Sequence, residues 1–289
     1  MIQHERVADN VYSFQSDSYA QVTAGVITGP EWAVVIDTLA FPEETLDIRD
    51  FVEQELRVPV RYVVNTHSHA DHSWGNCFFP GAMVISHSMC RKLLNERGRA
   101  ALEVVKRQNP AIFRQVKIVL PQLTFEEGRL GLRVGKKTLS LFPLPGHSPD
   151  AIGVLIEEDR VLFAGDVFMP IPYIVDGDLD VMVESLKRIS DMGLENVVQG
   201  HGDIVLRGEI DDAVLDNIAY LNALRKSVRK ASRRKYPWDL LETIDVESCG
   251  KSRVLIGGLA DELHTRNLKA LYRQMFGEQP RSSEEDYDE

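Results

Sequence analysis

Residues 61–72 read RYVVNTHSHADH. Residues 61–65 are β-branched and aromatic apart from their ends, the composition of a buried strand. The strand runs without a break into a polar string holding His67, His69, Asp71 and His72. Imidazole nitrogen and carboxylate oxygen are ligands that a borderline cation such as Zn²⁺ accepts, and a catalytic site keeps one position open beyond about three protein ligands. Just past a strand, alternate residues of an extended turn aim at one point, so His67 and His69 are placed to share a cation. Asp71 and His72, where the chain turns into the next element, suit a second one. A lone loop histidine is usually a hydrogen-bonded surface residue. Four ionisable side chains in one turn have little structural reason without a cation to balance them.

Further ligands have to come from other strand ends. Three glycine-flanked candidates follow apolar runs: Gly146-His147-Ser148, Gly165-Asp166 after VLFA, and Gly200-His201-Gly202 after NVVQ. Glycine permits a tight turn and close backbone approach at each. Singly, each is an ordinary turn. Jointly they complete a set, with His67, His69 and His147 for one cation, Asp71, His72 and His201 for the other, and Asp166 between them.

Working outward, short strand-like runs alternate with amphipathic segments, the pattern of a layered α/β chain. Strands are predicted at 11–14, 21–27, 32–36, 83–86, 117–120, 130–134, 138–143, 152–157, 160–164 and 196–199. Helices are predicted at 43–56, 89–108, 181–192, 210–235 and 260–276. The 289 residues show no fixed-period repeat and no linker, so 1–277 reads as one domain. The remainder, 278–289 (EQPRSSEEDYDE), is acidic, nearly free of apolar residues and expected to be disordered.

A formal charge of −11 disfavours nucleic acid as the main partner. The basic run at 225–235 (RKSVRKASRRK) reads first as a solvated helix face. Three cysteines without a CxxC pair and an N-terminus without signal-peptide character point to the cytoplasm. No apolar run is long enough for a membrane span. A small-molecule substrate is the expected partner; the oligomeric state stays open, a homodimer among the options.

The string HxHxDH with its three distant partners resembles the metallo-β-lactamase-fold hydrolases, which include glyoxalase II, lactonases, ribonuclease Z and the zinc β-lactamases. The resemblance runs from about Val7 to His201. It implies an αββα sandwich, two mixed β-sheets face to face with helices outside, and a site at one sandwich edge. It assigns His67, His69 and His147 to a first metal, Asp71, His72 and His201 to a second, and Asp166 to both, with two divalent ions as cofactors: zinc first, iron or manganese otherwise. Asp166 stands where cysteine-containing zinc β-lactamases carry their cysteine, which speaks against antibiotic hydrolysis. His69 stands where flavodiiron proteins have glutamate.

The activity implied is hydrolysis of an ester, thioester, lactone or amide bond by water shared between two cations, with Asp71 as the candidate to take and return its proton. Two alternatives are a mononuclear iron dioxygenase of persulfides, whose motif is similar, and a binding protein that uses metal only for stability. Substrate contacts are expected from residues 98–125, 169–173 and the last helices. Tyr173 and His264 are candidate substrate-binding residues, either of which would donate to a developing oxyanion, and His264 reads equally as a residue that packs and hydrogen-bonds within the fold. The run Phe168, Met169, Ile171, Pro172, Ile174 reads as a cleft entrance or as core. His4 and His87 read as surface or capping residues.

Overall fold

The computed structural model describes residues 2–282. Thirteen strands form two mixed sheets among the described residues. The first sheet is β1 (Ile2–Ala8), β2 (Val11–Ser16), β3 (Thr23–Thr28), β4 (Ala33–Ile36), β5 (Val60–Val64), β6 (Met83–His87) and β7 (Leu123–Phe125), in that spatial order. Its first four strands pair antiparallel, and β4 through β7 run parallel. The second sheet is β8 (Leu130–Val134), β9 (Lys137–Pro143), β10 (Ile152–Ile156), β11 (Val161–Gly165), β12 (Asn196–Gln199) and β13 (Val205–Leu206). Only its β11–β12 pair is parallel.

The period-two alternation of side chains sorts each strand onto two faces. Ile27, Val34, Ile36 and Val64 of the first sheet meet Leu139, Val154, Phe163 and Val198 of the second in a dry inter-sheet core. On the outer side of the first sheet, Ala24, Val26, Val35 and Val63 cover Ile48 and Val52 of the segment that begins with helix Pro42–Asp50. On the outer side of the second, Phe142, Leu155, Leu162 and Val197 receive Met182, Leu186 and Ile189 of helix Leu179–Asp191 and Leu221, Leu224 and Val228 of helix Ile210–Ala231. Both faces of the inner strands of both sheets are buried, which is why these strands read as nearly continuous apolar runs. The result is the expected αββα sandwich.

Several elements differ from the sequence-based expectation. Residues 117–120 form no strand: Val116 and Ile118 belong to a satellite cluster with Trp74, Leu102 and Phe113, and the place beside β6 is taken by Leu123–Phe125. Strand β1 was not expected because IQHERVA is polar; it is an edge strand with most side chains exposed, where polar residues suit an uncovered edge. The helix expected at 43–56 ends in a π turn at Phe51–Glu55, and that expected at 89–108 is divided by another at Leu94–Gly98. The run Phe168, Met169, Ile171, Ile174 is core. Of the C-terminal segment, Pro280 is buried and the Arg281 carbonyl accepts from the Trp238 N–H; the expectation of disorder for 283–289 falls outside the described residues. No helix among the described residues is long and apolar enough to cross a membrane.

Candidate metal centre

The carboxyl ends of β4, β5, β9, β11 and β12 reach one edge of the sandwich, and each is followed by a polar residue of the centre. Backbone bonds lock the two sheets together there: Ile152 N–H donates to the Thr66 carbonyl (2.8 Å) and Thr23 N–H to the Gly200 carbonyl (2.9 Å). The glycines expected to allow close approach do so. A Cβ at Gly200 would stand 2.0 Å from the Asp166 carboxylate, and one at Gly146, whose φ is +142°, would meet the Met182 backbone at 2.5 Å.

All seven residues of the expected set converge. The donor atoms of His67, His69, His147 and Asp166 lie within 4.8 Å of one another, as do those of Asp71, His72 and His201. Asp166 joins the two groups. Its Oδ2 faces His67 Nε2 (3.6 Å) and His147 Nε2 (3.5 Å), and its Oδ1 faces His72 Nε2 (3.1 Å) and His201 Nε2 (3.5 Å). Asp71 Oδ2 lies 3.5 Å from His201 Nε2.

The hydrogen bonds behind the rings fix their tautomers by inference from the network. His147 Nδ1 donates to the Tyr173 carbonyl (2.8 Å) and His201 Nδ1 to the Ala20 carbonyl (2.8 Å). His72 Nδ1 donates to Asp37 Oδ2 (2.9 Å), and His69 Nε2 to Asp176 Oδ2 (3.3 Å). The Thr66 hydroxyl gives its one proton to Asp37 (2.6 Å), so it accepts from His67 Nδ1 (3.0 Å). Five rings are thus held from behind, and the second nitrogen of each points forward. His69 Nδ1 and His147 Nε2 stand 2.9 Å apart, while the buried His67 Nε2, His72 Nε2 and Asp166 Oδ1 have no hydrogen-bond partner. Such an array is incompletely satisfied by itself and fits divalent cations.

Electrostatics divide the rings differently: burial opposes charge on His69 and His201, yet Asp176 and Asp166 raise the first and Asp166 and Asp71 the second. Burial drives His67 well below the usual histidine range and His147 down to about 4, so both favour the neutral ligand form. Burial also opposes charge on His72, yet the Asp166, Asp71 and Asp37 carboxylates outweigh it and hold His72 well above that range. Asp166 is buried, but His72 and His201 beside it keep its carboxyl well below the ordinary value.

Sequence reasoning missed Asp37 and Asp176. Asp37 ends AVVID, and since β4 lies parallel to β5, its carboxylate falls beside the THSHADH turn; that adjacency is a readable signal. It also accepts from the Thr66 N–H (2.8 Å) and holds φ at +57°, which aspartate tolerates better than most residues. Asp176 lies in an irregular loop with no comparable mark.

Tyr173 borders the centre, its ring 5.9 Å from that of His147. His264 packs and hydrogen-bonds within the fold, one of its two expected readings. Its Nε2 donates to the Ile244 carbonyl (2.9 Å) and its Nδ1 accepts from the Tyr220 hydroxyl (3.1 Å), so both nitrogens are engaged inside the fold. The neighbouring Asn267 does act on the centre indirectly: it accepts from Ile174 N–H (2.9 Å) and donates to the Pro172 carbonyl (2.7 Å), fixing the peptide whose Tyr173 carbonyl orients His147. His87 caps helix Ser88–Leu93, accepting from Met89 N–H, and His4 stacks on Phe14.

Comparison with known proteins agrees with this geometry. Human acyl-coenzyme A thioesterase MBLAC2 is 28% identical over 226 residues, covering 68% of this chain and 80% of that protein. Among solved structures, a metallo-beta-lactamase from Pontibacter korlensis superposes with a TM-score of 0.62 at 20% identity, covering 75% of this chain and 99% of that one. The sec-alkylsulfatase Pisa1 from Pseudomonas sp. gives 0.71 at 16% identity, covering 96% of this chain and 50% of that one. At these identities the structural likenesses speak to the fold. The sequence profile described as the metallo-beta-lactamase superfamily matches residues 19–234, about three quarters of the sequence, and the chain belongs to that superfamily of hydrolases.

Proposed function

We propose that the chain is a two-metal hydrolase that cleaves acyl thioesters, with zinc as the resident ion. The observation that carries this reading is Asp166 presenting one oxygen to each of two donor groups, in which the buried His67 Nε2 and His72 Nε2 have no hydrogen-bond partner. His67, His69 and His147 would hold one ion, Asp71, His72 and His201 the other, and Asp166 would serve both. When bound there, two divalent ions would supply Lewis acidity and lower the pKa of water to about 7.

The chain's own residues do the rest. Asp37, Asp176, Thr66 and the carbonyls of Ala20 and Tyr173 lock the rings, so little reorganisation accompanies the reaction. Asp71 is the least enclosed of the carboxylates at the centre proper and is assigned the proton. It accepts one from water as the oxygen adds to the thioester carbonyl carbon. It returns that proton to sulfur as the C–S bond breaks, giving a carboxylic acid and a thiol. Tyr173, its ring beside that of His147, is the candidate donor to the carbonyl oxygen.

The thioester is chosen from the ester, thioester, lactone and amide class because the human relative is named an acyl-coenzyme A thioesterase. A single-iron dioxygenase would leave Asp71, His72 and His201 a converged donor group without a task. Three free cysteines, two of them buried, suit a reducing cytoplasm in this reading. The test is turnover of acyl-coenzyme A, lactone, phosphodiester and β-lactam probes by zinc-loaded protein. Thioester cleavage should exceed the others by at least about tenfold; preference for another class, or oxygen uptake with persulfide, would overturn the reading.

A further inference from the structure

Between β6 and β7 the chain inserts a helical cap that begins with helix Ser88–Leu93, passes through the π turn Leu94–Gly98 and continues as helix Arg99–Gln108. A cavity of about 470 Å³ opens between this cap and the turn that carries His69. That volume is in the range of sites that enclose a small ligand, roughly 300–1,000 Å³. On the cap side its wall is Leu93, Gly98 and Ala101; opposite stand Trp74 and Val175. Leu93, Arg97 and Ala101, spaced four apart, line the cavity together with Gly98 of the π turn, two of these four residues having little or no side chain.

Trp74 is set rigidly, 94% buried and edge-on to Phe113 at 6.0 Å, so the cavity has a fixed apolar floor. His69 itself lines the cavity, and its Nδ1 belongs to the metal centre. The space therefore opens directly onto the position where a substrate carbonyl has to sit. At its mouth Arg97 lies 3.6 Å from Asp176, the carboxylate that also accepts from His69. Arg97 is largely exposed, so this pair forms the polar outer rim of the cavity.

We propose that this cavity receives the acyl chain of the substrate, an unbranched, uncharged hydrocarbon of medium length, and that the cap residues Leu93, Gly98 and Ala101 set the chain length accepted. The inference rests on the thioester reading above. Burial of each additional methylene against Trp74 and Leu93 lowers the barrier only as far as the cavity extends, so kcat/KM rises along a chain series and then stops.

The experiment compares acetyl-, hexanoyl- and decanoyl-coenzyme A, together with binding of decanoate, in the zinc-loaded full chain and in two cap variants. Ala101 is exposed on its helix, so Ala101→Trp fills the cavity without disturbing the core. It should lower kcat/KM for the decanoyl substrate by about tenfold or more, leave the acetyl substrate within about twofold, and abolish decanoate binding. Leu93→Ala should shift the preference toward longer chains. Equal effects of Ala101→Trp on all chain lengths, or none on any, would overturn the cavity assignment while the thioester reading stands. Decanoate binding that Ala101→Trp abolishes, in a protein that turns over no thioester, would support the cavity and overturn the reaction instead.

Discussion

Asp37 shows how much of a metal centre lies one bond behind its ligands. It receives His72 Nδ1–H, the Thr66 hydroxyl and the Thr66 N–H, and through Thr66 it also settles the tautomer of His67. Replacing it by asparagine keeps the left-handed backbone but removes the charge and one lone-pair set. Asp37→Asn should weaken zinc affinity about 10- to 100-fold, read by competition with a chromophoric chelator, with little change in the far-ultraviolet circular dichroism. At this scale the sequence was legible wherever ligands announced themselves, as four ionisable residues in one turn or as a polar residue between glycines. His264 was not legible, because a histidine on the inner face of an amphipathic helix reads the same whether it lines a cleft or bonds to a neighbouring helix. Asp176 was not legible either, since nothing local distinguishes an irregular-loop aspartate that reaches a histidine more than a hundred positions away.

Among the elements, helix Ala260–Phe276 reaches the centre through Asn267. This fully buried amide satisfies the Ile174 N–H and the Pro172 carbonyl and donates to the Tyr220 hydroxyl. Asn267→Ala leaves these groups unpaired and should cost on the order of 3 kcal/mol, seen as a lower denaturation midpoint, together with weaker metal retention as the Tyr173 carbonyl shifts from His147. The segment before this helix supplies a pH signature. Burial lowers Lys251 from 10.5 to about 8 while its Nζ donates to Asn217 Oδ1 (2.7 Å). Between pH 8 and 10.5 the unfolded chain therefore binds more protons than the folded one, and folding gains stability as pH rises through that window. Against a Lys251→Met variant, the native chain should gain in relative melting temperature from pH 8 to pH 10; a flat difference would contradict the buried lysine.

The strands that build the inter-sheet core were readable because burial on both faces leaves uninterrupted apolar runs. The edge strand β1 and the π turns were not. An edge needs no apolar pattern, and one extra residue in a helical turn changes the phase of a face without changing its composition.

For the molecule as a whole, two sheets meeting at one edge turn seven residues spread from 67 to 201 into a single array. The sandwich was legible through the motif more than through the strand pattern, since short apolar runs alone fit several layered folds. Net charge was informative only by exclusion, and the cap cavity became visible only once residues 88–118 were seen folded against the metal turn. The most direct measurement is metal content. Protein purified without chelator should carry close to two zinc ions per chain, and His201→Ala, which removes a donor from one group alone, should retain close to one. A native chain that holds a single ion and loses nothing on His201→Ala would contradict the two-metal account.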